Sequence, residues 1–272
     1  MHLADIPDVN CTVHQLQLCV RSALETLEVK DLITKCKKIS SHFSHSQIAQ
    51  DELTKIQTEQ LNQPALRIIQ DCVTRWNSTF HMIDRMLKIK DYICLYASKH
   101  NIPQISPEEW LYLNKIVAIL SPFEEITRNL SDTKTSISSV IPLIYVLKLT
   151  LQAEKDKSDT NQIFQSIIQK LIEDINARFC DLPRKTLFSL ATYLDPRYKL
   201  KFFDEITKEQ VQSELIRLLT IHDLNVASGV DDDEALGASA AKKARVESNP
   251  MHDEPSTSFQ IFSPTQSVHS NL

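Results

Sequence analysis

Apolar side chains recur along most of this chain at the spacing of amphipathic α-helices. A period near 3.6 residues predicts helices over about residues 11–29, 32–43 and 46–61, the last with Ser46 as its N-cap. The same period continues through the rest of the chain and predicts four more helices: one that begins after Asn77 or Ser78 and runs to about residue 93, and three over residues 140–155, 162–179 and 208–222. The sequence therefore predicts a mainly α protein.

The best defined helix start lies at residues 106–109. Ser106, Pro107 and Glu109 stand where an N-cap, the first helical residue and the third helical residue of a capping box are expected. The helix should run from Pro107 to about Leu120. We expect Pro122 to kink or restart it, because proline lacks the N–H that the helix interior requires.

One segment departs from the helical period. Residues 65–73, ALRIIQDCV, follow Pro64 and form a short aliphatic run between polar residues. This pattern is typical of a strand, and it is the best candidate strand in the chain.

Glycine is almost absent, and this excludes several classes of enzyme. Only Gly229 and Gly237 occur, so the first 228 residues contain none. Phosphate-binding loops, dinucleotide fingerprints and nucleophile elbows all require glycine where the backbone adopts a positive φ or closely approaches a ligand. Tight hairpins favour it as well, so an extensive antiparallel sheet is also unexpected.

Net charge, cysteine content and apolar run length indicate which partners and which cellular compartment to expect. The net charge is −5, so nucleic-acid binding would require a local basic face. The six cysteines form no CxxC pair and are expected to be reduced thiols of a cytosolic or nuclear protein. No stretch approaches the roughly 18 apolar residues that span a bilayer, so a membrane partner is not expected.

Beyond about residue 226 the sequence becomes acidic, then basic, then rich in Ser, Pro and Thr, which predicts a disordered tail.

Three motifs in order resemble a known family. They are CTVHQLQL at residues 11–18, DCVTRWNST at 71–79 and LATYLDPRYK at 190–199. Together they resemble hAT-superfamily transposases, and in particular the domesticated zinc finger BED domain-containing proteins. The resemblance implies a partial RNase H-like α/β core with few strands over residues 1–98, an all-helical insertion domain over 99–225 and a disordered linker or tail over 226–272.

The resemblance also implies where catalysis would reside. The family core carries two aspartates and a glutamate that hold two divalent metals for cleavage of DNA. Both aspartates are expected upstream of residues 11–18 and the glutamate after the insertion; Asp5 and Asp8 lack the family context. We therefore expect no enzyme activity, no small-molecule substrate and no cofactor in this chain, with zinc confined to an upstream BED finger and divalent metal to an intact triad.

Several residues are candidates for other roles. By the resemblance, Trp76 either stacks on a DNA base or packs in the core, with packing favoured, and Arg75 either contacts phosphate or is a solvated cation. Cys11 and His14 lack a second pair of zinc ligands, so packing is favoured for them too. The residues whose role is expected to be structural are Cys11, His14, Asp71, Asn77, Ser78, Asp195, Pro196, Arg197 and Tyr198.

The short basic run formed by Lys242, Lys243 and Arg245 resembles a nuclear localisation signal, so a nuclear location is expected. The main hypothesis is a non-catalytic piece of a transposase-derived nuclear protein that has a DNA-associated or transcription-regulatory role and binds protein partners. The alternatives are a decayed transposase fragment without function and a stand-alone helical protein–protein interaction module.

Overall fold

The structure, a computed structural model, describes residues 10–60, 63–72, 74–157 and 161–227, and it is helical over most of them. The α-helices, in chain order, are α1 (Thr12–Leu24), α2 (Leu27–His45), α3 (Gln47–Lys55), α4 (Trp76–Lys88), α5 (Lys90–Ala97), α6 (Pro107–Ser131), α7 (Val140–Lys155), α8 (Gln162–Phe179), α9 (Thr186–Leu194) and α10 (Glu205–Ala227). A π-helical turn, Ile56–Gln60, extends α3, and 3₁₀ turns at Ile137–Ser139 and Leu182–Arg184 precede α7 and α9. The prediction of a mainly α protein is confirmed.

The predicted capping residues occupy the predicted positions. Ser106 Oγ accepts a hydrogen bond from the Glu109 N–H at 3.2 Å, and Glu109 Oε2 accepts one from the Ser106 N–H at 2.8 Å, which completes the capping box. Ser46 Oγ accepts from the Ala49 N–H at 3.2 Å and so begins α3. The predicted end of this helix near Leu120 is wrong, because α6 continues through Pro122 to Ser131.

A single apolar core joins the N-terminal and C-terminal helices of the compact unit that ends at Leu219. Helix α1 packs against α8 and α6, α4 packs against α6, and α7 packs against α8. Leu16, Met82, Phe123 and Ile168 are among its fully buried side chains. Core residues from Leu16 to Phe203 thus come from both predicted segments, 1–98 and 99–225, although the boundary between them in the family stays a prediction.

The predicted strand is not a strand in the structure. Residues 65–72 are neither helical nor paired in a sheet, and the described residues contain no strand. Side chains bond the backbone instead: Gln57 accepts from the Leu66 N–H at 2.7 Å and donates to Leu66 O at 3.2 Å, while Ser40 Oγ donates to Ile69 O at 2.8 Å. These side-chain bonds occupy backbone groups that a neighbouring strand would pair in a sheet.

One helical stretch, Ile137–Lys155, is long and apolar enough to cross a membrane by length and composition. Its side chains Ile144, Leu147 and Leu151 are buried, and α7 packs against α6, α8 and α9. This is the packing of a core helix in a helical bundle. The second compact unit begins at Thr220, and its described part is the end of α10.

Candidate functional site

The motif at residues 71–79 forms the junction between the extended segment and α4. The carboxylate of Asp71 accepts hydrogen bonds from Ser78 Oγ and Thr79 Oγ1, both at 2.7 Å, through Oδ1. Its other oxygen, Oδ2, lies 2.9 Å from Lys37 Nζ on α2. Gln17 of the first motif also reaches this junction, because its Nε2 donates to Thr74 O at 3.0 Å. The first two motifs therefore meet at the start of α4.

The environment of Asp71 favours its ionised form. Burial raises the pKa of the carboxyl. The hydrogen bonds from Lys37, Ser78 and Thr79 together lower the pKa by more than burial raises it, so the net pKa lies below the ordinary value. The carboxylate is thus held as an anion whose bonds stay within the protein. Ser78 does not act as the N-cap that the sequence suggested; α4 begins at Trp76, with Arg75 as the N-cap residue.

Trp76 is a core residue in the structure. Its side chain is only 4% exposed, and its ring lies edge-on to Phe80 and Phe123, with centroids 6.3 and 6.5 Å apart. A base can stack only on an exposed aromatic face. The burial therefore supports packing over base stacking as its role. Its indole Nε1–H is also buried and has no acceptor among the described residues.

A cleft of about 250 Å³ opens beside this junction, between α1, α2 and the start of α4. Four basic residues line it, together with two acidic ones and apolar and hydroxyl side chains. The lining residues are Arg21, Leu24, Glu25, Lys30, Ile33, Thr34, Lys37, Asp71, Arg75, Trp76 and Thr79. The lining therefore carries more basic than acidic side chains, and one pair among them, Lys37 and Asp71, forms a salt bridge.

The sequence pointed to Arg75 in this cleft but did not single out Arg21 or Lys30. These two residues lie on different helices, so no motif in the sequence joins them. Only the packing of α1 against α4 and of α2 against α4 brings the three cations together.

The third motif forms a separate structural network. Asp195 accepts from Ser138 Oγ at 2.6 Å and from Arg197 Nη2 at 2.7 Å, and Tyr198 Oη lies 3.2 Å from Ser139 Oγ. Asp195 Oδ1 also accepts from the Arg197 N–H at 3.0 Å, which closes the turn around Pro196. The structural role expected for these four motif residues agrees with these bonds.

The remaining candidates lie apart from the cleft or outside the described residues. Cys11 and His14 are exposed at the start of α1, and Asn77 is partly buried in the first turn of α4. Within the parts of the chain that the structure describes, no three His, Cys, Asp or Glu side chains converge in a way that could hold a metal ion. Asp5, Asp8, the predicted tail and its basic residues Lys242, Lys243 and Arg245 lie outside or almost wholly outside the described residues.

Comparison with known proteins connects the first two motifs to one family. Residues 9–119 match the ZBED1 RNase-like helical domain. The chain is 29% identical to human zinc finger BED domain-containing protein 4 over 78% of its length and 28% identical to human zinc finger BED domain-containing protein 6 over 70%. It is also 27% identical to tpeD, a candidate transcriptional regulator of Talaromyces stipitatus, over 66%. The chain spans only about a fifth of these relatives, 18%, 20% and 19% of their lengths respectively.

Proposed function

We propose that this chain, whose residues 9–119 match the ZBED1 RNase-like helical domain, is a non-catalytic, transposase-derived module with a DNA-associated, transcription-regulatory role. The relatives are named as BED zinc finger proteins and as a candidate transcriptional regulator, which supports a regulatory role. The single observation that favours DNA contact by this chain itself is the basic cleft beside the second motif.

The cleft supports this role because charge dominates the affinity of proteins for DNA. Arg21, Lys30 and Arg75 line it, and none of them forms an ion pair with a carboxylate in the described chain. Contacts from such cations position a protein on DNA without reading its sequence. On this proposal the chain supplies backbone contact, and sequence preference resides in other parts of a longer protein, such as a zinc-binding BED finger.

A helical protein–protein interaction module is the second candidate, and one surface favours it. On α7, Val146 and Leu149 are 50% and 55% exposed although the opposite side of the helix is buried in the core. Exposed aliphatic side chains in one place are typical of a binding surface. We propose protein partners in addition to DNA, a nuclear location, and neither a cofactor nor a small-molecule substrate. A decayed transposase fragment is the outcome if neither kind of partner binds.

A salt-dependent mobility shift of the full chain tests the DNA role. The probes are a duplex and a single strand of mixed sequence, and the titration begins at about 20 mM salt, where electrostatic contacts are strongest. We expect binding that weakens steeply with added salt and depends little on sequence. Absence of binding at the lowest salt would remove DNA contact from the proposed function of this chain.

A further inference from the structure

Three cations from three separate elements line the cleft at the start of α4. Arg21 belongs to α1, Lys30 to α2, and Arg75 is the N-cap residue of α4. All three side chains are exposed, and within the described residues none is paired with a carboxylate. Like charges that converge without counter-charges repel one another, so the cleft gains electrostatically from an anion.

The acidic residues of the cleft do not offset this excess. Asp71 is already bonded by Lys37, Ser78 and Thr79, so its charge is balanced within the protein. Glu25 is the other acidic residue of the lining, and it also has no ion-pair partner among the described residues. Three unpaired cations therefore face one unpaired carboxylate.

The N-terminus of α4 adds to the positive charge at the same place. The cleft lies at the start of this helix of 13 residues, whose N-cap residue makes no side-chain capping bond. The positive end of the helix dipole therefore contributes to the attraction of an anion. The carboxylate of Asp71, which accepts from Ser78 and Thr79 in the first turn, offsets part of this contribution.

We propose that this cleft is a phosphate-oxyanion site, in which Arg21, Lys30 and Arg75 bind the phosphate. The phosphate is supplied either by a nucleic-acid backbone or by a small inorganic phosphate such as pyrophosphate. The first source rests on the proposed function, whereas the second does not.

The test uses the full chain and two probes. Fluorescence anisotropy measures the affinity for a labelled 20-base-pair duplex across a salt series, and isothermal titration calorimetry measures the affinity for inorganic pyrophosphate. The test variants are Arg21→Ala, Lys30→Ala, Arg75→Ala and the triple variant. Lys38→Ala is the matched control, because Lys38 is an exposed lysine on α2, as Lys30 is, but does not line the cleft.

We expect each single variant to make the slope of log K against log salt shallower by about 0.9, and the triple variant by about 2.7. Pyrophosphate binding should be lost in the triple variant and unchanged in Lys38→Ala. Because all three residues are exposed, circular dichroism melts of the variants should match the wild type. If the triple variant does not fold, the slopes of the single variants decide the question.

The outcomes separate this inference from the proposed function. Duplex binding that the triple variant retains with an unchanged slope overturns the phosphate site and leaves the DNA role intact. Pyrophosphate binding that needs the three cations, without duplex binding, supports the site and removes the DNA role. A wild-type chain that binds neither probe overturns both.

Discussion

Lys37 Nζ on α2 lies 2.9 Å from Oδ2 of Asp71, the residue that opens the second family motif. The contact joins α2 to the start of α4, because the other carboxylate oxygen of Asp71 accepts from Ser78 and Thr79 in the first turn of that helix. One acidic side chain thus joins α2 to the start of α4, two of the three elements that form the cleft.

The two partners of this contact should differ in their effect on stability. Asp71→Ala removes the acceptor of two hydroxyl groups and of a lysine, and we expect it to lower the free energy of unfolding by about 1–3 kcal/mol. Lys37→Ala leaves the two hydroxyl bonds in place and removes only a half-exposed lysine, so its cost should stay below about 1 kcal/mol. Urea unfolding of both variants checks the difference; equal losses would show that the hydroxyl bonds contribute little.

The stability of the protein should fall in acid, and Asp71 should contribute to this. Burial raises the pKa of Asp71, Glu109 and Glu154, but hydrogen bonds to each carboxylate lower it by more, so each pKa lies below its ordinary value. The main donors are Lys37 to Asp71, Lys35 and Ser106 to Glu109, and Lys115 and Lys157 to Glu154. A carboxyl group whose folded pKa is lowered stabilises the fold fully above its unfolded pKa of about 4. That contribution is lost as the pH falls through the folded pKa.

Thermal melts between about pH 7 and pH 2 measure this dependence. We expect little change above about pH 5 and a decline below about pH 4. The Asp71→Asn variant should begin from a lower stability and show a shallower decline, because it no longer has this ionisable group. A variant that declines as steeply as the wild type would show that Asp71 is not linked to folding.

The sequence predicted helix bounds well where apolar periodicity and capping residues determine them. The ranges 140–155 and 162–179 match α7 and α8, and the capping box at Ser106 and Glu109 is present, because apolar period and caps act within a few residues. The end of this helix was misjudged, since α6 continues through Pro122 with Phe123 and Ile126 on its buried side. Core packing there offsets the hydrogen bond that proline cannot make.

Two features could not be predicted: that the segment at residues 65–72 does not form a strand, and that a cleft forms beside it. Both depend on contacts between residues distant in sequence. Aliphatic residues at 65–73 have the composition of a strand, but Gln57 and Ser40 on other elements bond its backbone in place of a neighbouring strand. Likewise, Arg21 and Lys30 join Arg75 only because three helices pack at one point. A motif in the sequence identified one of the three cations, and the fold supplied the other two.

Cysteine labelling should divide the thiols by their surroundings. Cys19 and Cys36 are buried, and burial raises their pKa values to about 11 and about 12. Cys72 is exposed, and its hydrogen bond with Thr74 Oγ1 at 3.2 Å lowers its pKa. Because the thiolate is the reactive form, iodoacetamide at pH 8 should modify Cys72 first and the two buried thiols last.

Mass spectrometry of peptides from timed labelling measures this order. The control is the chain in urea, in which all six cysteines should react at similar rates. Rapid labelling of Cys36 in the folded chain would contradict its burial on the core side of α2.

Trp76 should behave as a core residue when it is replaced. Its ring packs edge-on to Phe80 and Phe123, so Trp76→Ala removes a buried aromatic group and should cost about 3–5 kcal/mol of stability. Trp76→Phe keeps a ring in the same place and deletes an N–H that has no acceptor in the described residues, so no protein hydrogen bond is lost. Its cost should therefore be only roughly 1–2 kcal/mol, from the smaller buried area.

Denaturant unfolding compares the two variants. Circular dichroism follows the unfolding, so that loss of the tryptophan does not affect the signal. If Trp76→Ala instead unfolded at the same denaturant concentration as the wild type, the ring would not be part of the core, and a surface role such as base stacking would have to be reconsidered.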